Sequence, residues 1–459
     1  MGEKGSARTL IDSLATDFTV SEIELPEVAG PDGPIGWQDY DAAKARAVER
    51  TGERESVVCG VGRIGDTEAV LIAFEFGFLG GSVGGHTGLL VEAAFARAAE
   101  LRLPVVSLIA TGGSRMQEGM RALSQLQRMA RASDAVRVAG LPRIAVLRNP
   151  TTGGGWATLG AGADVSLGLV GAQVGFAGSR VRPDGDASDY TAEGQLAAGH
   201  IDQVVAPDAL PATLRRWLTL LTSGGREPAK VPDALSAHTG LPETGWDAVR
   251  RARATDRPRA GSYLDAYFDW RENISGDRCG GVDPGVLCGF GLRAGRAIAY
   301  AAQAGTATQP SGFRTAARLV RLADRLGIPV LTLVDTPGAA NDAAAELAGV
   351  GAAIAELFGA IAGMTVPITT LVIGEGGSGG ALAFAAPGRT WVTADSYFSV
   401  TAPEAAAAIL KRDQDEVPAT ANELHLRPQD LVDLGVAEGV VPPTAMVIRA
   451  DIDTRPACS

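Results

Sequence analysis

The chain has 459 residues, a formal net charge of −12, 46% hydrophobic and 20% charged residues, and 59 glycines. This composition excludes a disordered or fibrous protein, and the length predicts two or three domains. The acidity argues against a nucleic-acid partner, because phosphate binding needs clustered Lys and Arg. Four cysteines without zinc spacing or disulfide density predict a cytoplasmic protein with no metal site, and the lack of a long apolar run predicts no membrane contact.

Residues 1–35 are rich in Pro, Gly and acidic side chains, which predicts an irregular N-terminal lead-in. Within the first unit, residues 36–225, short β-branched runs alternate with longer helical ones from Val57 to Arg180, which predicts an α/β unit with largely parallel strands. Strand candidates at residues 69–74 and 105–109 precede two glycine turns, residues 111–115 (TGGSR) and 152–155 (TGGG).

An apolar stripe follows the first of these turns. Met116, Met120 and Leu123 recur at helical spacing. A stripe at this spacing predicts the buried face of a helix in preference to a ligand surface.

A second unit, residues 226–459, repeats the order of the first after a composition break between residues 205 and 260. Strand candidates at residues 297–300, 330–334 and 368–373 accompany the glycine turns 335–339 (DTPGA) and 374–381 (GEGGSGGA). Pro104 corresponds to Pro329, and Gly153 corresponds to Gly379. The second pair is separated along the chain by one residue more than the first pair. This nearly constant offset predicts two similar domains.

The glycine turns suggest a common chemistry. Paired glycines between a strand and a helix let backbone N–H groups approach a ligand oxygen, and the helix N-terminus favours negative charge there. The sequence therefore predicts two sites that hold oxyanions with backbone donors.

A dinucleotide site is an alternative for the last turn. Residues 374–379 follow a strand and match G-x-G-x-x-G, and Asp395 lies about twenty residues further on, as a Rossmann fingerprint requires. The motif lies late in its unit, however, and the matching turn of the first unit lacks it. Backbone binding of an oxyanion explains the glycines of both turns, whereas the dinucleotide site of a dehydrogenase explains only those of residues 374–379.

Candidate acid–base side chains are few. His86 is the only histidine inside a glycine cluster, and a site role and a surface role are both open. Glu118 and Glu375 adjoin glycine turns, either as catalytic bases or as acids that complement a helix dipole. Arg115 and Arg180 are candidates for binding an anionic group or for structural ion pairs.

Six segments carry a family resemblance. The chain resembles the β subunit of bacterial acetyl-CoA carboxylase carboxyltransferase at residues 74–84 (FEFGFLGGSVG), 112–118 (GGSRMQE) and 175–181 (GFAGSRV). It resembles the α subunit at residues 335–339 (DTPGA), 374–383 (GEGGSGGALA) and 401–404 (TAPE). The chain is thus similar to a β–α fusion, with the β-like unit at residues 36–225 and the α-like unit at residues 226–459.

The resemblance implies two tandem crotonase-like domains, each a ββα superhelix. It also implies a transfer of a carboxyl group from carboxybiotin to the α-carbon of an acyl-CoA thioester. One oxyanion hole is expected at Gly112 and Gly113 and a second at Gly380 and Ala381. The remaining residues predicted to bind substrate are Gly81, Gly84, Gly85, His86, Arg115, Gly153, Gly154, Gly338, Ala339, Gly376, Gly377 and Gly379.

The expected partners follow from the same resemblance. The chain has no Met-Lys-Met biotinylation sequence, so biotin is expected on a separate biotin carboxyl carrier protein that a biotin carboxylase loads. A homodimer is expected, with each active site between the first unit of one copy and the second unit of another. A decarboxylase acting on a malonyl thioester of CoA or of an acyl carrier protein is the alternative, because both reactions pass through an enolate.

Overall fold

The computed structural model describes residues 5–443 except residues 28, 29, 183, 184, 186, 237 and 239. The chain forms two α/β halves, each built on an eight-stranded sheet. Among the described residues, no helix has the length and apolar character needed to cross a bilayer. The predicted α/β class with two similar domains is confirmed.

The first half contains the first sheet and eight helices in its described residues. Its strands are β1 (Thr16–Val20), β2 (Val57–Ile64), β3 (Thr67–Phe74), β4 (Val105–Thr111), β5 (Arg143–Thr152), β6 (Val165–Leu169), β7 (Val174–Gly175) and β8 (Gln203–Val205). Its helices are α1 (Ala7–Leu14), α2 (Tyr40–Thr51), α3 (Gly85–Leu101), α4 (Gly119–Leu123), α5 (Gln125–Val138), α6 (Gly153–Gly155), α7 (Ala192–Ala197) and α8 (Leu210–Thr222). A π-helical turn, Trp156–Gly160, continues α6.

The second half contains the second sheet and nine helices in its described residues. Its strands are β9 (Trp270–Ile274), β10 (Val286–Arg293), β11 (Arg296–Gln303), β12 (Val330–Thr336), β13 (Ile368–Gly377), β14 (Thr390–Thr393), β15 (Tyr397–Ser399) and β16 (Gly439–Val441). Its helices are α9 (Gly245–Arg253), α10 (Ala260–Tyr267), α11 (Pro310–Leu326), α12 (Ala343–Leu347), α13 (Val350–Ala362), α14 (Ser378–Leu382), α15 (Pro403–Ile409), α16 (Val417–Glu423) and α17 (Pro428–Asp433).

The two sheets have the same topology. In the first, β1, β2 and β3 pair antiparallel, β3 to β6 and β8 continue in parallel, and the short β7 pairs with the end of β5. In the second, β9 to β11 are antiparallel, β11 to β14 and β16 are parallel, and β15 pairs with the end of β13. Parallel neighbours place the carboxyl ends of the central strands, and thus the glycine turns, at one edge of each sheet.

The crossover helices α3 and α11 are also equivalent. Each has 17 residues and precedes the strand that enters the first glycine turn of its half. In α11, Pro310 occupies the first turn, where its missing N–H costs no hydrogen bond, and Gly327 ends the helix at a positive φ of 69°. These local signals place the turns at the same position in both halves.

Helix α8 joins the two halves. It packs against β2 and β3 of the first sheet and against β10 and β11 of the second. Trp217 on this helix is fully buried, and its ring meets that of Phe290 edge-on with centroids 6.3 Å apart. The predicted domain boundary after residue 225 falls between α8 and α9 and stays a prediction.

The lead-in is more regular than the sequence predicted. Helix α1 and strand β1 lie within residues 1–35, and β1 pairs with β2 at the edge of the first sheet. Ser6 caps α1, and Ile11 and Leu14 are buried against the core. The pattern of Pro and Gly hid a short amphipathic helix whose apolar side chains have a surface to pack on.

The Met116 stripe was predicted to be buried, and this was wrong. Met116, Met120 and Leu123 are 71%, 72% and 45% exposed. The helix is interrupted between α4 and α5, so the helical phase restarts after Leu123, and Met129 and Val136 on α5 face the core instead. The stripe therefore lies on the surface beside the first glycine turn.

Candidate active site

The first glycine turn of each half is closed by a threonine hydroxyl. The Gly113 N–H donates to Oγ1 of Thr111 at 3.0 Å, and the Gly338 N–H donates to Oγ1 of Thr336 at 3.1 Å. Both glycines have positive φ, 105° and 140°, which an L side chain rarely adopts. The offset from Thr111 to Thr336 and from Gly113 to Gly338 equals that from Pro104 to Pro329. The turns are thus equivalent in geometry as well as in sequence position.

A backbone bridge holds each of these turns against the loop that precedes the crossover helix. Val83 pairs with Ser114 in the first half, and Thr308 pairs with Ala339 in the second. The two bridges are related by the same offset along the chain as the two threonines. In the second half, the backbone bonds of this bridge add to the Thr336 hydroxyl in holding the predicted site residues Gly338 and Ala339 in place.

The second glycine turns of the two halves are separated along the chain by the same number of residues as the first turns. The structure therefore matches Gly153 with Ser378 and not, as the sequence predicted, with Gly379. Strands β5 and β13 both have ten residues and end immediately before Gly153 and Ser378. Gly153 has a φ of 63° and Ser378 a φ of 56°. Gly154 is therefore equivalent to Gly379, and the buried Gly380 is equivalent to Gly155. Because position 378 is a serine, matching Gly153 with the next residue, Gly379, paired two glycines and was preferred from the sequence.

The structure contradicts the predicted oxyanion donors of the first half. The Gly112 N–H donates to the Gly80 carbonyl at 2.9 Å, and the Gly113 N–H is taken by Thr111. Both N–H groups are thus used to close the turn. Paired glycines here allow one backbone loop to approach another.

Gly154 and Gly155 are the remaining donors in the first-half cluster. They occupy the first helical turn after β5, where a helix offers no acceptor of its own. Gly153 precedes them, and its N–H already donates to the Phe176 carbonyl at 3.0 Å. A Cβ added to Gly153 would lie 3.0 Å from Cα of Gly113, so the two turns of this half are in direct contact.

The equivalent cluster of the second half has Gly379 and Gly380 in the first turn of α14. Gly379 is exposed, and a Cβ added to it would meet no atom within 4 Å. Gly380 is buried, and a Cβ there would lie 2.3 Å from the Ala339 nitrogen. Ala381 follows as the fourth residue of the helix and is fully buried. One side of this turn is therefore packed tightly, and the other is open.

Gln303 supports this second cluster, and the sequence reasoning missed it. Its side-chain amide donates to the Gly380 carbonyl at 3.1 Å and to Oγ1 of Thr308 at 3.0 Å. The side chain is fully buried at the end of β11. The signal was present, since a buried glutamine at the end of an apolar strand needs partners in the neighbouring turns.

Three of the predicted binding glycines are needed for internal packing. A Cβ on Gly81 would lie 2.0 Å from the Ala110 carbonyl oxygen, and a Cβ on Gly377 would lie 2.0 Å from that of Pro337. A Cβ on Gly376 would reach the ring of Phe398 at 2.0 Å. The space beside these glycines is filled by the chain itself.

Arg115 was predicted to bind substrate, and the structure shows a structural ion pair instead. Its side chain is fully buried and forms ion pairs with Glu55 at 2.5 Å and Glu118 at 3.1 Å. Burial lowers the pKa of Arg115, but the two carboxylates more than offset it, so the net pKa is raised. Burial also raises the pKa of Glu55, and Arg115 overcomes this, so that pKa ends below its ordinary value.

Glu118 and the N-terminus of α3 form one closed network. Glu118 accepts the Gly85 N–H and the Tyr40 hydroxyl, both at 2.6 Å. The Gly84 N–H donates to Oγ1 of Thr87 at 3.0 Å. The predicted binding residues Gly84 and Gly85 thus both donate within the chain, Gly84 to Thr87 and Gly85 to Glu118.

Glu375 is also held by the protein. It lies in strand β13, so it is not the first-turn helix acid that the sequence allowed. Arg253 donates to it at 2.7 Å and Tyr397 at 2.9 Å. Arg253 forms a second ion pair with Glu404 at 2.6 Å. A glutamate in this arrangement is an ion-pair partner more than a free base.

The two remaining side-chain candidates lie further out. His86 is half-buried, and its Nε2 is 2.8 Å from the Pro26 carbonyl oxygen. Arg180 is exposed, after the strand β7. A surface or capping contact therefore accounts for His86 in this structure.

The dinucleotide fingerprint does not have the structure it would require. Residues 374–377 are extended strand, so no glycine-rich loop intervenes before α14. Asp395 accepts from Nδ1 of His238 at 2.7 Å and from the Ser236 hydroxyl. The carboxylate that would hold a ribose is thus engaged elsewhere.

The two halves match two family models. Residues 35–204 match the model of the carboxyl transferase domain, and residues 239–456 match the acetyl co-enzyme A carboxylase carboxyltransferase-like model. The combined matches span both sheets.

Curated relatives match the chain over nearly its whole length. The acetyl-coenzyme A carboxylase carboxyl transferase subunits beta/alpha of Salinispora tropica is 38% identical, over 95% of this chain and 81% of the relative. A probable biotin-dependent acyl-coenzyme A carboxylase beta3 subunit of Mycobacterium tuberculosis is 33% identical, over 88% of this chain and 82% of the relative.

Solved structures share the fold. Transcarboxylase 12S, solved with hydrolysed methylmalonyl-coenzyme A bound, matches with a TM-score of 0.78 at 22% identity, over 96% of this chain and 87% of that one. A single-chain, multi-domain long-chain acyl-CoA carboxylase matches with a TM-score of 0.76 at 19% identity, over 95% and 44% of the two chains. The curated relatives, together with the two model matches, show that the chain belongs to the acetyl-coenzyme A carboxylase carboxyltransferase family, in its fused beta/alpha form.

Proposed function

We propose that this protein is a biotin-dependent carboxyltransferase that moves a carboxyl group from carboxybiotin to the α-carbon of an acyl-CoA thioester. The observation that carries this proposal is the pair of equivalent glycine clusters in one chain. Each offers backbone N–H donors, and the nearby carboxylates Glu118 and Glu375 are held in ion pairs. Such a site stabilises negative charge on oxygen without a protein base.

The chemistry explains why two clusters are needed. Loss of the α-proton leaves negative charge on the thioester oxygen, and preorganised N–H groups lower the energy of that charge. Carboxybiotin, when bound, would supply the carboxyl group: its N–CO2 bond would break, the ureido anion left on biotin would take the α-proton of the thioester, and the CO2 would join the resulting enolate carbon. One cluster then holds the thioester oxygen and the other holds the ureido oxygen of biotin.

The donors we assign differ from those first predicted. In the first half we assign Gly154 and Gly155, since Gly112 and Gly113 donate within the chain. In the second half we assign Gly379 and Gly380 in the first turn of α14. Ala381 stays a predicted donor beside Gly380.

The second cluster suits a ring such as that of biotin. The open side of Gly379 has no atom within 4 Å of a built Cβ. Leu382 lies on the same helix as Gly379, and Val400 follows Ser399, which pairs with Gly377; these two apolar side chains are 47% and 75% exposed. Small ligands bind where apolar walls surround a few fixed polar donors.

We further propose that two copies complete each active site, first half against second half. Exposed apolar side chains support this, because soluble proteins rarely leave them uncovered in numbers. Those of the first half include Met116, Met120 and Phe176, and those of the second include Leu347, Val400 and Ile409, all more than two-thirds exposed. The biotin carrier protein and biotin carboxylase would then be separate partners in the cytoplasm.

The test is the reaction run in reverse. Purified protein is incubated with malonyl-CoA, with and without biocytin, and acetyl-CoA and carboxybiocytin are followed by mass spectrometry. Carboxyl transfer that requires biocytin is the expected result. Release of CO2 that does not depend on biocytin would contradict the proposal and indicate a decarboxylase. Turnover of malonyl-acyl carrier protein but not of malonyl-CoA would show that the thioester substrate is carried by an acyl carrier protein.

A further inference from the structure

A cavity rich in arginine lies between the two halves, away from the glycine turns. It has a volume of about 290 Å³ and is lined by Arg137, Asp164, Arg278, Arg318, Arg321 and Arg325, with three small or apolar residues. It is near the lower end of the range of small-molecule sites, about 300–1,000 Å³. Asp164 precedes β6 and pairs with Arg143, the first residue of β5, whereas the glycine turn follows the other end of β5. A strand of this length extends about 30 Å, so the cavity lies at the opposite edge of the sheet.

The ion pairs around this cavity leave positive charge in excess. Asp202 is shared by Arg278 at 2.5 Å and Arg318 at 2.9 Å. Asp164 is likewise shared by Arg143 at 2.9 Å and Arg325 at 2.7 Å.

The other two arginines of the cavity each have a carboxylate partner near the surface. Arg321 pairs with Glu356, and Arg137 pairs with Asp134. Across the described residues of this network, six guanidinium groups therefore meet four carboxylates, an excess of two positive charges.

Two further observations show that the arginines are not fully satisfied. The Nε–H groups of Arg143 and Arg318 are buried without a hydrogen-bond partner. Burial lowers the pKa of Arg278 and of Arg325, and neighbouring arginines lower each of them further. Uncompensated like charges cost stability, and an anion bound in the cavity would relieve the repulsion among these arginines.

We propose that this arginine pocket binds the phosphate dianion of a small molecule. Planar guanidinium groups present paired donors that match phosphate oxygens, and a dianion balances the two excess charges. The protein as a whole carries a net charge of −12, which repels anions from the rest of its surface. The side chains of Arg321 and Arg137 are about half exposed, so the pocket is open to solvent. Because it lies at the far edge of the sheet, this site is independent of the carboxyltransfer chemistry.

The test is calorimetric titration of the full chain with inorganic phosphate, pyrophosphate and ADP in separate experiments at low ionic strength. The test variant is Arg137→Gln with Arg321→Gln, because each of these arginines pairs with a partly exposed carboxylate and leaves no buried charge alone. The control variant is Arg97→Gln with Arg128→Gln, which removes two exposed, ion-paired arginines elsewhere and changes the net charge by the same amount. Circular dichroism verifies the fold of both.

We expect one anion per chain in the natural protein, and an affinity about tenfold weaker or more in the test variant, since two charge-assisted contacts are lost. The control variant should stay within about threefold of the natural protein, because distant exposed charges are screened. The probe that binds most tightly distinguishes a free phosphate from a nucleotide. Absence of binding for all three probes, or equal weakening in both variants, would overturn the proposal.

Discussion

The two halves build the same turn with different side-chain support. Thr111 and Thr336 each accept the N–H of the glycine two residues later, and equivalent bridges hold both turns. Around this common backbone, the buried charges lie on opposite sides. The first half has the buried Arg115 after its glycines, and the equivalent residue of the second half is Ala340. The second half has the buried Asp335 before its glycines, and the equivalent residue of the first half is Ala110.

This difference separates what the turn requires from what is interchangeable. The Thr-x-Gly spacing and the bridge occur in both halves, so they define the backbone geometry. The ion networks differ in position and sign: Arg115 meets two carboxylates, whereas Asp335 meets Arg257 and Arg259. Each half thus fastens the same turn to its surroundings with its own charged network.

The largest effect is expected from breaking these networks. Arg115→Met leaves Glu55 and Glu118 buried without their cation, and such a loss costs about 3–5 kcal/mol. Asp335→Asn should cost less, about half as much, because Arg259 is 37% exposed and the buried Arg257 keeps three backbone carbonyls as acceptors. Urea unfolding followed by circular dichroism measures both.

A matched control for this comparison is Arg128→Met. Arg128 pairs with Glu92, and both side chains are more than a third exposed, so its loss should cost less than about 1 kcal/mol. Adding Glu55→Gln to Arg115→Met should restore part of the lost stability. If Arg115→Met were no worse than Arg128→Met, the first network would have no structural role.

The next largest effect concerns the donors of the second cluster. Gly380→Ala places a Cβ 2.3 Å from the Ala339 backbone, so the turn must shift, and we expect carboxyltransfer to fall by about 10²–10³. Gly379→Ala keeps its N–H and meets no atom within 4 Å, so its stability should match that of the natural protein. Rates and thermal midpoints of both variants separate loss of the donor from loss of the fold. A fully active Gly380→Ala enzyme would contradict the assignment of this donor.

A smaller effect is expected from the threonines. Thr111→Val removes the acceptor of the Gly113 N–H and should cost about 1 kcal/mol. Thr336→Val should cost more, up to about 3 kcal/mol, because that hydroxyl also contacts the Thr306 carbonyl at 2.8 Å. Chemical denaturation of the two variants tests the order, and the reverse order would show that the hydroxyl contacts do not set it.

The sequence allowed the duplicated α/β fold to be predicted because strands, crossover helices and glycine turns leave periodic, local signals. The constant offset between the two units matches Thr111 with Thr336. These are the two threonines whose hydroxyls close the glycine turns. The lead-in and the Met116 stripe were predicted wrongly, since burial depends on which surface a segment meets and on a helix break that no single residue marks.

The site was harder to predict than the fold. Glycine is equally suited to approach a ligand and to approach another backbone. Only the folded structure distinguishes Gly112, whose N–H donates to the Gly80 carbonyl, from Gly379, beside which a Cβ would meet no atom. Arg115 and Glu118 lie close together in the sequence, but Glu55, which decides their role, lies 60 residues from Arg115. Long-range pairs of this kind have no local signature.

The smallest effect tests whether Ser378 is a true counterpart of Gly153. Ser378 has a φ of 56°, a conformation that costs a non-glycine residue about 1–2 kcal/mol, whereas glycine adopts it freely but makes the unfolded chain more flexible. Ser378→Gly should therefore raise the free energy of unfolding by at most about 1 kcal/mol. Gly153→Ser should lower it, because its Cβ would lie only 3.0 Å from Cα of Gly113. Thermal denaturation of the two exchanges measures this asymmetry, and equal and opposite shifts would mean that the conformational cost alone, without the contact to Gly113, decides which residue each half carries.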